Sequence, residues 1–151
     1  MKKSRSEPVA DPVWTTPESL VEAAYKLISF GPGGGPAWNQ FRQLFAERSV
    51  LALRILPDDM AVTIMSLDEY VAKQIWSDAL AGGYEETPID RKFTVTRDMA
   101  EARVRFQMRF GSGEVYEAID IFQMVRVDKR WWIVSIVSDC LESRPATKRR
   151  S

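Results

Sequence analysis

Apolar and polar residues alternate along residues 100–110 of the chain. The apolar members of this alternation are Ala102, Val104, Phe106, Met108 and Phe110. A period of two residues places all of these side chains on one face of a β-strand, with the polar residues on the other face. Residues 115–127 resume a strand pattern after the turn sequence Gly-Ser-Gly at 111–113. The chain from Tyr84 onward is therefore predicted to form long antiparallel strands joined by tight turns.

The first part of the chain has the period of helices instead. Thr16, Pro17 and Glu18 supply a hydroxyl cap, a proline and an acidic residue, which together predict a helix start. The helix is expected to run to about Phe30. Its apolar stripe consists of Leu20, Val21, Ala24, Leu27 and Ile28, with Tyr25 beside it. The sequence GPGGGP at 31–36 is predicted to be a loop, because glycine and proline both disfavour a continuing helix.

Three shorter elements are predicted before the long strands. The first is a short second helix, indicated by the spacing of Trp38, Phe41, Leu44 and Phe45. Residues 49–55 are predicted to form a strand. Residues 66–69 have a capping-box pattern, which opens a third helix through Tyr70, Ile75 and Trp76. Helices followed by an antiparallel meander predict an α+β domain over residues 14–141, flanked by disordered tails at 1–13 and at 142–151, the second of them basic.

The last strand, at 131–141, is apolar in both parities. Trp131, Ile133 and Val137 are expected on one face, and the other face is expected to carry Trp132, Val134 and Ile136. Such a strand requires cover on both sides. The helices can cover only one side, so we expect the outer face of the sheet to form a homodimer with a second copy of the chain.

Composition removes several classes of function. The 151 residues are 45% apolar and 28% charged, with a formal net charge of zero, so neither nucleic acid nor a membrane is expected as a partner. No signal-peptide or membrane-spanning pattern is found, which favours a cytoplasmic location. The chain has no histidine and one cysteine, Cys140, which argues against a disulfide framework, a zinc site and a Ser-His or Cys-His catalytic pair. We expect no metal and no cofactor.

Four segments together carry a family resemblance. They are the helix bearing Tyr25, the segment at 38–45 before a strand, the capped helix at Ser66, and the sequence AIDIFQMVRVDKRWWIVSI at 118–136. Over roughly residues 17–141 the chain resembles the nuclear transport factor 2-like superfamily, which has the cystatin-like cone fold and includes ketosteroid isomerases and SnoaL-like polyketide cyclases. The resemblance implies a cone-shaped half-barrel, in which a curved, mainly antiparallel sheet wraps around the N-terminal helices and encloses a pocket.

The resemblance also implies two candidate catalytic residues. Asp120 lies at the position similar to the oxyanion-hole acid of ketosteroid isomerase, and Tyr25 resembles its partner tyrosine. Such a pair donates hydrogen bonds to a developing oxyanion when both groups are dry and convergent. The position of the family's carboxylate base falls at about Leu53, whose side chain cannot take a proton; Glu47, Asp58 and Asp59 are the nearest acids in sequence. The alternative is that Asp120 is a buried acid satisfied by Tyr25, without any reaction.

Aromatic and thioether side chains are candidates for lining the pocket. They are Trp38, Tyr70, Trp76, Phe106, Met108, Phe122 and Trp131. Each of them could equally be core, because large apolar residues fill a cavity as readily as they line one. Two functions stay open on this basis. The chain either binds a small, mostly apolar ligand, with isomerase, dehydratase or cyclase chemistry as an extension, or acts as a dimeric scaffold or accessory subunit through protein contact.

Overall fold

The first helix begins and ends close to where the sequence places it. In the computed structural model, which describes residues 11–75 and 80–141, helix α1 spans Pro17–Ile28 and follows a 3-10 turn at Val13–Thr15. The backbone N–H of Ser19 donates to the Thr16 hydroxyl at 3.0 Å, which caps the helix. The buried face of α1 includes Leu20, Val21 and Tyr25. Tyr25 therefore lies within the face that packs on the sheet.

The second helix is shorter than the aromatic spacing suggests. Helix α2 spans Trp38–Arg42, and Phe45, expected in this helix, is instead the first residue of strand β1, Phe45–Leu53. The cause is pairing with the far end of the chain. Phe45 lies opposite Ile133, and the Ile133 N–H donates to the Leu44 carbonyl at 2.9 Å. The sheet thus outweighs the local helical period.

The third helix is capped as its sequence predicts. Helix α3 spans Leu67–Ile75. The Ser66 hydroxyl accepts a hydrogen bond from the Glu69 N–H at 3.1 Å, and the Glu69 carboxylate accepts one from the Ser66 N–H at 2.8 Å, which completes a capping box. Trp76 lies outside the described residues.

Strand β2, Thr63–Ser66, immediately precedes the helix and was not predicted. Four residues are too few for a recognisable period, and β2 forms by antiparallel pairing with β1.

In the part of the chain that the structure describes, six strands form one curved sheet in the order β2-β1-β6-β5-β4-β3. The long strands are β3 (Tyr84–Thr96), β4 (Met99–Phe110), β5 (Val115–Val127) and β6 (Arg130–Cys140). Neighbouring strands are antiparallel, except that β1 and β6 are parallel. Helix α1 contacts β3, β4 and β6, and α3 contacts β1 and β2. The α+β class expected from the sequence is confirmed, and the buried core lies between the helices and one face of the sheet.

A bulge in β6 changes which side chains face inward. Gln123 of β5 pairs with Ser135, but Met124 pairs with Ile133, so Val134 has no partner on β5. The extra residue reverses the parity of the strand beyond it. Ile136 is 7% exposed and faces inward, whereas Val137 is 53% exposed on the outer face. The faces expected for Ile136 and Val137 were therefore wrong, because a strict period of two cannot anticipate a bulge.

The described part of the chain, residues 11–75 and 80–141, contains no helix long and apolar enough to cross a membrane. Of the tail expected at 1–13, only the last three residues are described, and the tail expected at 142–151 lies outside the described residues.

Candidate functional site

A cavity of about 80 Å³ lies between the helices and the inner face of the sheet. Helix α1 contributes Ala24, Tyr25 and Ile28 to its wall, and α3 contributes Tyr70 and Gln74. The sheet contributes apolar and aromatic side chains together with three acids: Glu86, Asp120 and, beside Arg54, Asp139. We call this space the cavity throughout. Its wall is mainly apolar with a few polar groups, which is the usual character of a small-molecule site.

Tyr25 and Asp120 meet inside the cavity wall. The Tyr25 hydroxyl donates to Asp120 Oδ2 at 2.8 Å, and the two residues are 3% and 7% exposed. Asp120 faces inward because strand β5 alternates, so that it shares a face with Ala118 and Phe122. The Tyr25 ring lies 5.8 Å from that of Phe122, with their planes at 65°. The pair is thus a polar contact within an aromatic environment.

The protonation of this pair follows from its burial. Burial raises the pKa of Asp120 to about 6, although hydrogen bonds from Ser138 and Tyr25 act in the opposite direction. Ser138 lies directly opposite Asp120 on β6. Burial, and then the negative charge of Asp120, also raise the pKa of Tyr25 far above its ordinary value. Tyr25 therefore remains a hydrogen-bond donor throughout the physiological pH range.

Glu86 is a second acid in the cavity, and sequence reasoning missed it. It lies on β3 opposite Met108 and accepts a hydrogen bond from the Tyr84 hydroxyl. Burial, followed by repulsion from Asp120, raises the pKa of Glu86 to about 8, against the opposing effect of the Tyr84 hydrogen bond. The available signal was its register: a residue that pairs with the inward-facing Met108 also faces inward. That register cannot be read without locating the bulge between Pro88 and Asp90.

The structure separates the expected lining residues into two groups. Tyr70, Phe106, Met108 and Phe122 line the cavity, and so does Leu53 at the expected position of a base. Trp38 instead packs against Phe41, with ring centroids 5.5 Å apart.

Trp131 lies in the core and is 2% exposed. The guanidinium carbon of Arg126 lies 5.3 Å from the centroid of the Trp131 ring. Trp38 and Trp131 therefore lie away from the cavity wall, and Trp76 falls in the part of the chain that is not described.

An ion pair lies at the end of the cavity that adjoins a more open surface pocket. Arg54 Nε lies 2.8 Å from Asp139 Oδ1, and both residues line the cavity and that surface pocket. Burial and the charge of Asp139 raise the pKa of the Cys140 thiol, which keeps it protonated and unreactive. Asp58 and Asp59 belong to the surface pocket. Within residues 11–75 and 80–141, no group of three acids or thiols is placed to hold a metal ion.

Comparison with solved structures identifies the fold. A protein of unknown function with a cystatin-like fold from Nostoc punctiforme matches with a TM-score of 0.64 and 11% identity, over 85% of this chain and 91% of that chain. A nuclear transport factor 2-like protein from Novosphingobium aromaticivorans matches with a TM-score of 0.63 and 18% identity, over 85% and 82% of the two chains. A candidate ketosteroid isomerase from Shewanella frigidimarina matches with a TM-score of 0.53 and 19% identity, over 68% and 80%.

These neighbours confirm the resemblance at the level of fold. The chain has the cystatin-like fold of nuclear transport factor 2-like proteins. No protein-family model and no curated protein matches it at the level of sequence. Because one fold carries many unrelated functions, the function has to be argued from the cavity itself.

Proposed function

We propose that the chain binds a small, mostly apolar molecule in the cavity and holds its polar group at the Tyr25–Asp120 pair. The observation that carries this proposal is the hydrogen bond of 2.8 Å between two buried polar groups in a wall that is otherwise mainly apolar. A few fixed polar groups in an apolar wall orient a ligand, because only one placement satisfies them. Glu86 supplies a second polar contact in the same space.

The volume of the cavity limits the size of the ligand. Sites for drug-sized molecules have volumes of roughly 300–1,000 Å³. The cavity measures about 80 Å³, so a ligand that enters without rearrangement contains only a few heavy atoms. A molecule of steroid size requires side chains of the wall to move. The proposal is therefore a small-molecule site rather than a steroid site.

Binding is favoured over catalysis by the state of the acids. Proton abstraction requires an ionised base, and Leu53 occupies the position where the family resemblance places one. Of the two acids deeper in the cavity, Glu86 has a pKa of about 8 and holds its proton at neutral pH. Asp120 has a pKa of about 6 and is mainly ionised, but it already accepts hydrogen bonds from Tyr25 and Ser138. Isomerase, dehydratase or cyclase chemistry, which the candidate ketosteroid isomerase from Shewanella suggests, would need Asp120 to give up these hydrogen bonds or Glu86 to ionise when the substrate binds.

Native mass spectrometry of the purified protein, followed by denaturing extraction and analysis of the released small molecules, tests the proposal. We expect a stoichiometric small molecule from the wild type and a reduced amount from the double variant Tyr25→Phe/Asp120→Asn. Circular dichroism of the variant serves as the control for folding. Repeated recovery of empty wild-type protein from its native host contradicts the proposal.

A second candidate function is assembly through the outer face of the sheet, either as a homodimer or as an accessory subunit. An apolar row crosses four neighbouring strands there, and its members in order are Ile64 on β2, Ala52 on β1, Val137 on β6 and Ile121 on β5. Ile64 is 75% exposed and Val137 is 53% exposed. Arg105, paired with Asp90 and Glu117 at 2.8 Å, adds a charged border. We propose that two copies cover this row symmetrically. A cytoplasmic location remains a prediction from the sequence.

A further inference from the structure

The polar groups in the cavity offer more acceptors than donors. An ionised carboxylate can accept about four hydrogen bonds. Asp120 accepts from Tyr25 and Ser138, and Glu86 accepts from Tyr84. The hydroxyl protons of Tyr25 and Tyr84 are already donated to these acids. At neutral pH the Glu86 carboxyl keeps its proton and offers one donor, whereas a ligand that brings several donors finds free acceptor positions on the Asp120 carboxylate and on the Glu86 oxygens.

Acidic side chains also outnumber cationic ones in the wall of the cavity. Among the described residues of the wall, Arg54 is the one cationic side chain, and it is paired with Asp139 at 2.8 Å. Its charge is thus compensated at the outer end of the cavity. The other titratable groups of the wall are Tyr25 on α1, Tyr70 on α3, Tyr84 and Glu86 on β3, Asp120 on β5, and Asp139 and Cys140 on β6. None of these is a cation, so the Asp120 carboxylate lacks a positive partner in the described wall.

Aromatic rings line the cavity together with the two acids. Tyr25, Tyr70, Tyr84, Phe106 and Phe122 all line the cavity. The rings of Tyr25 and Phe106 lie 5.5 Å apart at 52° to each other, so they present both faces and edges. The face of an aromatic ring attracts a cation, most strongly where water is excluded. Aromatic rings beside the buried Asp120 carboxylate and the half-buried Glu86 carboxyl form an environment that favours a positively charged organic group.

We propose that the polar group of the ligand is a protonated amine, held between the carboxyl groups of Asp120 and Glu86 and against the aromatic rings of the cavity. This inference rests on the proposed function and names the chemical class of its ligand. An ammonium group has three donors and no acceptor, which matches the surplus of acceptors. Its charge supplies the positive partner that the wall lacks. The remainder of the ligand is a short apolar skeleton, as the size of the cavity requires.

Binding of an amine is expected to change the protonation of Glu86. At neutral pH Glu86 is protonated in the empty cavity, because its pKa is about 8. A neighbouring ammonium favours the carboxylate, so the Glu86 carboxyl loses its proton to the buffer when the amine binds. A neutral ketone or alcohol has no such effect. The ionisation of Glu86 on binding therefore distinguishes an amine site from a site for neutral ligands.

Three small probes test the inference on the full chain: isopropylamine as its hydrochloride, propan-2-ol and propanone. They share a three-carbon skeleton and differ in the polar group. Titration is followed at pH 7.0 and constant salt by ¹³C NMR of the Asp and Glu carboxyl carbons. We expect the amine to bind about tenfold more tightly than either neutral probe and to move the Glu86 resonance to its ionised position. In Glu86→Gln the affinity for the amine should fall about tenfold, while the exposed control Glu85→Gln retains it.

Each remaining outcome overturns a defined part of the account. If propanone or propan-2-ol binds as tightly as the amine, the amine inference is wrong and the proposed binding function stands. If the amine binds without ionising Glu86 and equally well to Glu86→Gln, it binds elsewhere and the inference is wrong. If none of the probes shifts a carboxyl resonance of the cavity, while circular dichroism shows folded protein, both the inference and the small-molecule site are contradicted.

Discussion

The Tyr25 hydroxyl and the Asp120 carboxylate lie 2.8 Å apart, although 95 residues separate them in the sequence. The contact joins helix α1 to strand β5 through the core, so it fixes the helix on the sheet at the point where the cavity forms. A buried acid without a donor would lose its hydration without compensation. The pair therefore contributes to the fold and, through the same atoms, places a polar group where a ligand can reach it.

A double-mutant cycle measures this contact directly. We expect Tyr25→Phe and Asp120→Leu to be coupled by about 1–2 kcal/mol in the free energy of unfolding, because each substitution removes the same buried hydrogen bond. Urea denaturation of the wild type, both single variants and the double variant gives the coupling. Tyr25→Phe combined with Asp128→Asn, in the exposed turn after β5, is the matched control and should be additive. Additivity of the Tyr25 and Asp120 substitutions would show that the contact contributes no energy.

The raised pKa of Glu86 predicts a fall in stability with rising pH. The pKa of Glu86 is about 8 in the folded chain against an ordinary value of 4.5, so between these values the folded state binds a proton that the unfolded state has lost. The contribution is complete below about pH 4.5 and is lost as the pH rises to about 8. The full shift corresponds to about 5 kcal/mol. Because the Glu86 side chain is only half-buried and water screens part of its charge, we expect the free energy of unfolding to fall over this range by on the order of 2 kcal/mol.

Urea denaturation at pH 5 and pH 8 checks this expectation. Glu86→Gln should remove most of the difference between the two pH values, leaving a smaller fall near pH 4–6 that comes from Asp120. Glu85→Gln, at the adjacent exposed position, should behave like the wild type. A wild-type stability that is equal at both pH values, or a Glu86→Gln variant with an unchanged fall, would contradict the placement of the Glu86 carboxyl in the cavity wall.

Two glycine-containing loops approach each other closely where β3 begins and β4 ends. A Cβ added at Gly111 would overlap the backbone of Gly82, whereas a Cβ added at Gly31 would have no atom within 4 Å. We expect Gly111→Ala to lower the free energy of unfolding by about 1–3 kcal/mol, because backbone atoms on one side must move. Gly31→Ala serves as the control with little effect. Thermal unfolding of both variants is sufficient, and equal melting temperatures would show that the loops are not in contact.

Local signals account for the elements that the sequence predicts well. The cap at Thr16, the capping box at Ser66 and the alternation along β4 each lie within a short stretch of chain. The elements that were missed depend on distant partners. Phe45 joins β1 because Ile133 lies beside it, and β2 exists only as a partner of β1. Neither pairing has a local sequence signal.

The residues of the candidate site also differ in whether a local sequence pattern reveals them. Asp120 could be found because an acid in an apolar, alternating strand is conspicuous, and the family resemblance connected it with Tyr25. Glu86 could not be found because its inward direction depends on the register of β3 with β4, which changes at a bulge. The face predicted for Val137 was wrong for the same physical reason, because the bulge at Val134 shifts the alternation of β6. Bulges are set by packing across the sheet, which a single-strand pattern does not contain.

The proposed dimer makes a prediction about Val137. Replacing this exposed residue in the middle of the outer apolar row with aspartate places charges in the centre of a symmetric interface, so we expect Val137→Asp to be monomeric. Val95→Asp, at a similarly exposed valine on the edge strand β3, is the control and should leave the dimer intact. Light scattering at micromolar concentration gives the mass of each protein. A monomeric wild type contradicts the dimer.

The central claim is that Asp120, which is buried, and Glu86, which is half-buried, are acids of one mainly apolar cavity and are available to a ligand. A pH titration of the carboxyl carbons by ¹³C NMR, assigned with Asp120→Asn and Glu86→Gln, tests it most directly. The account predicts midpoints near pH 6 for Asp120 and near pH 8 for Glu86, each shifting when the other acid is replaced. Midpoints near pH 4 for both acids, the value of free carboxyl groups, would contradict the account, because they would show that water reaches both groups.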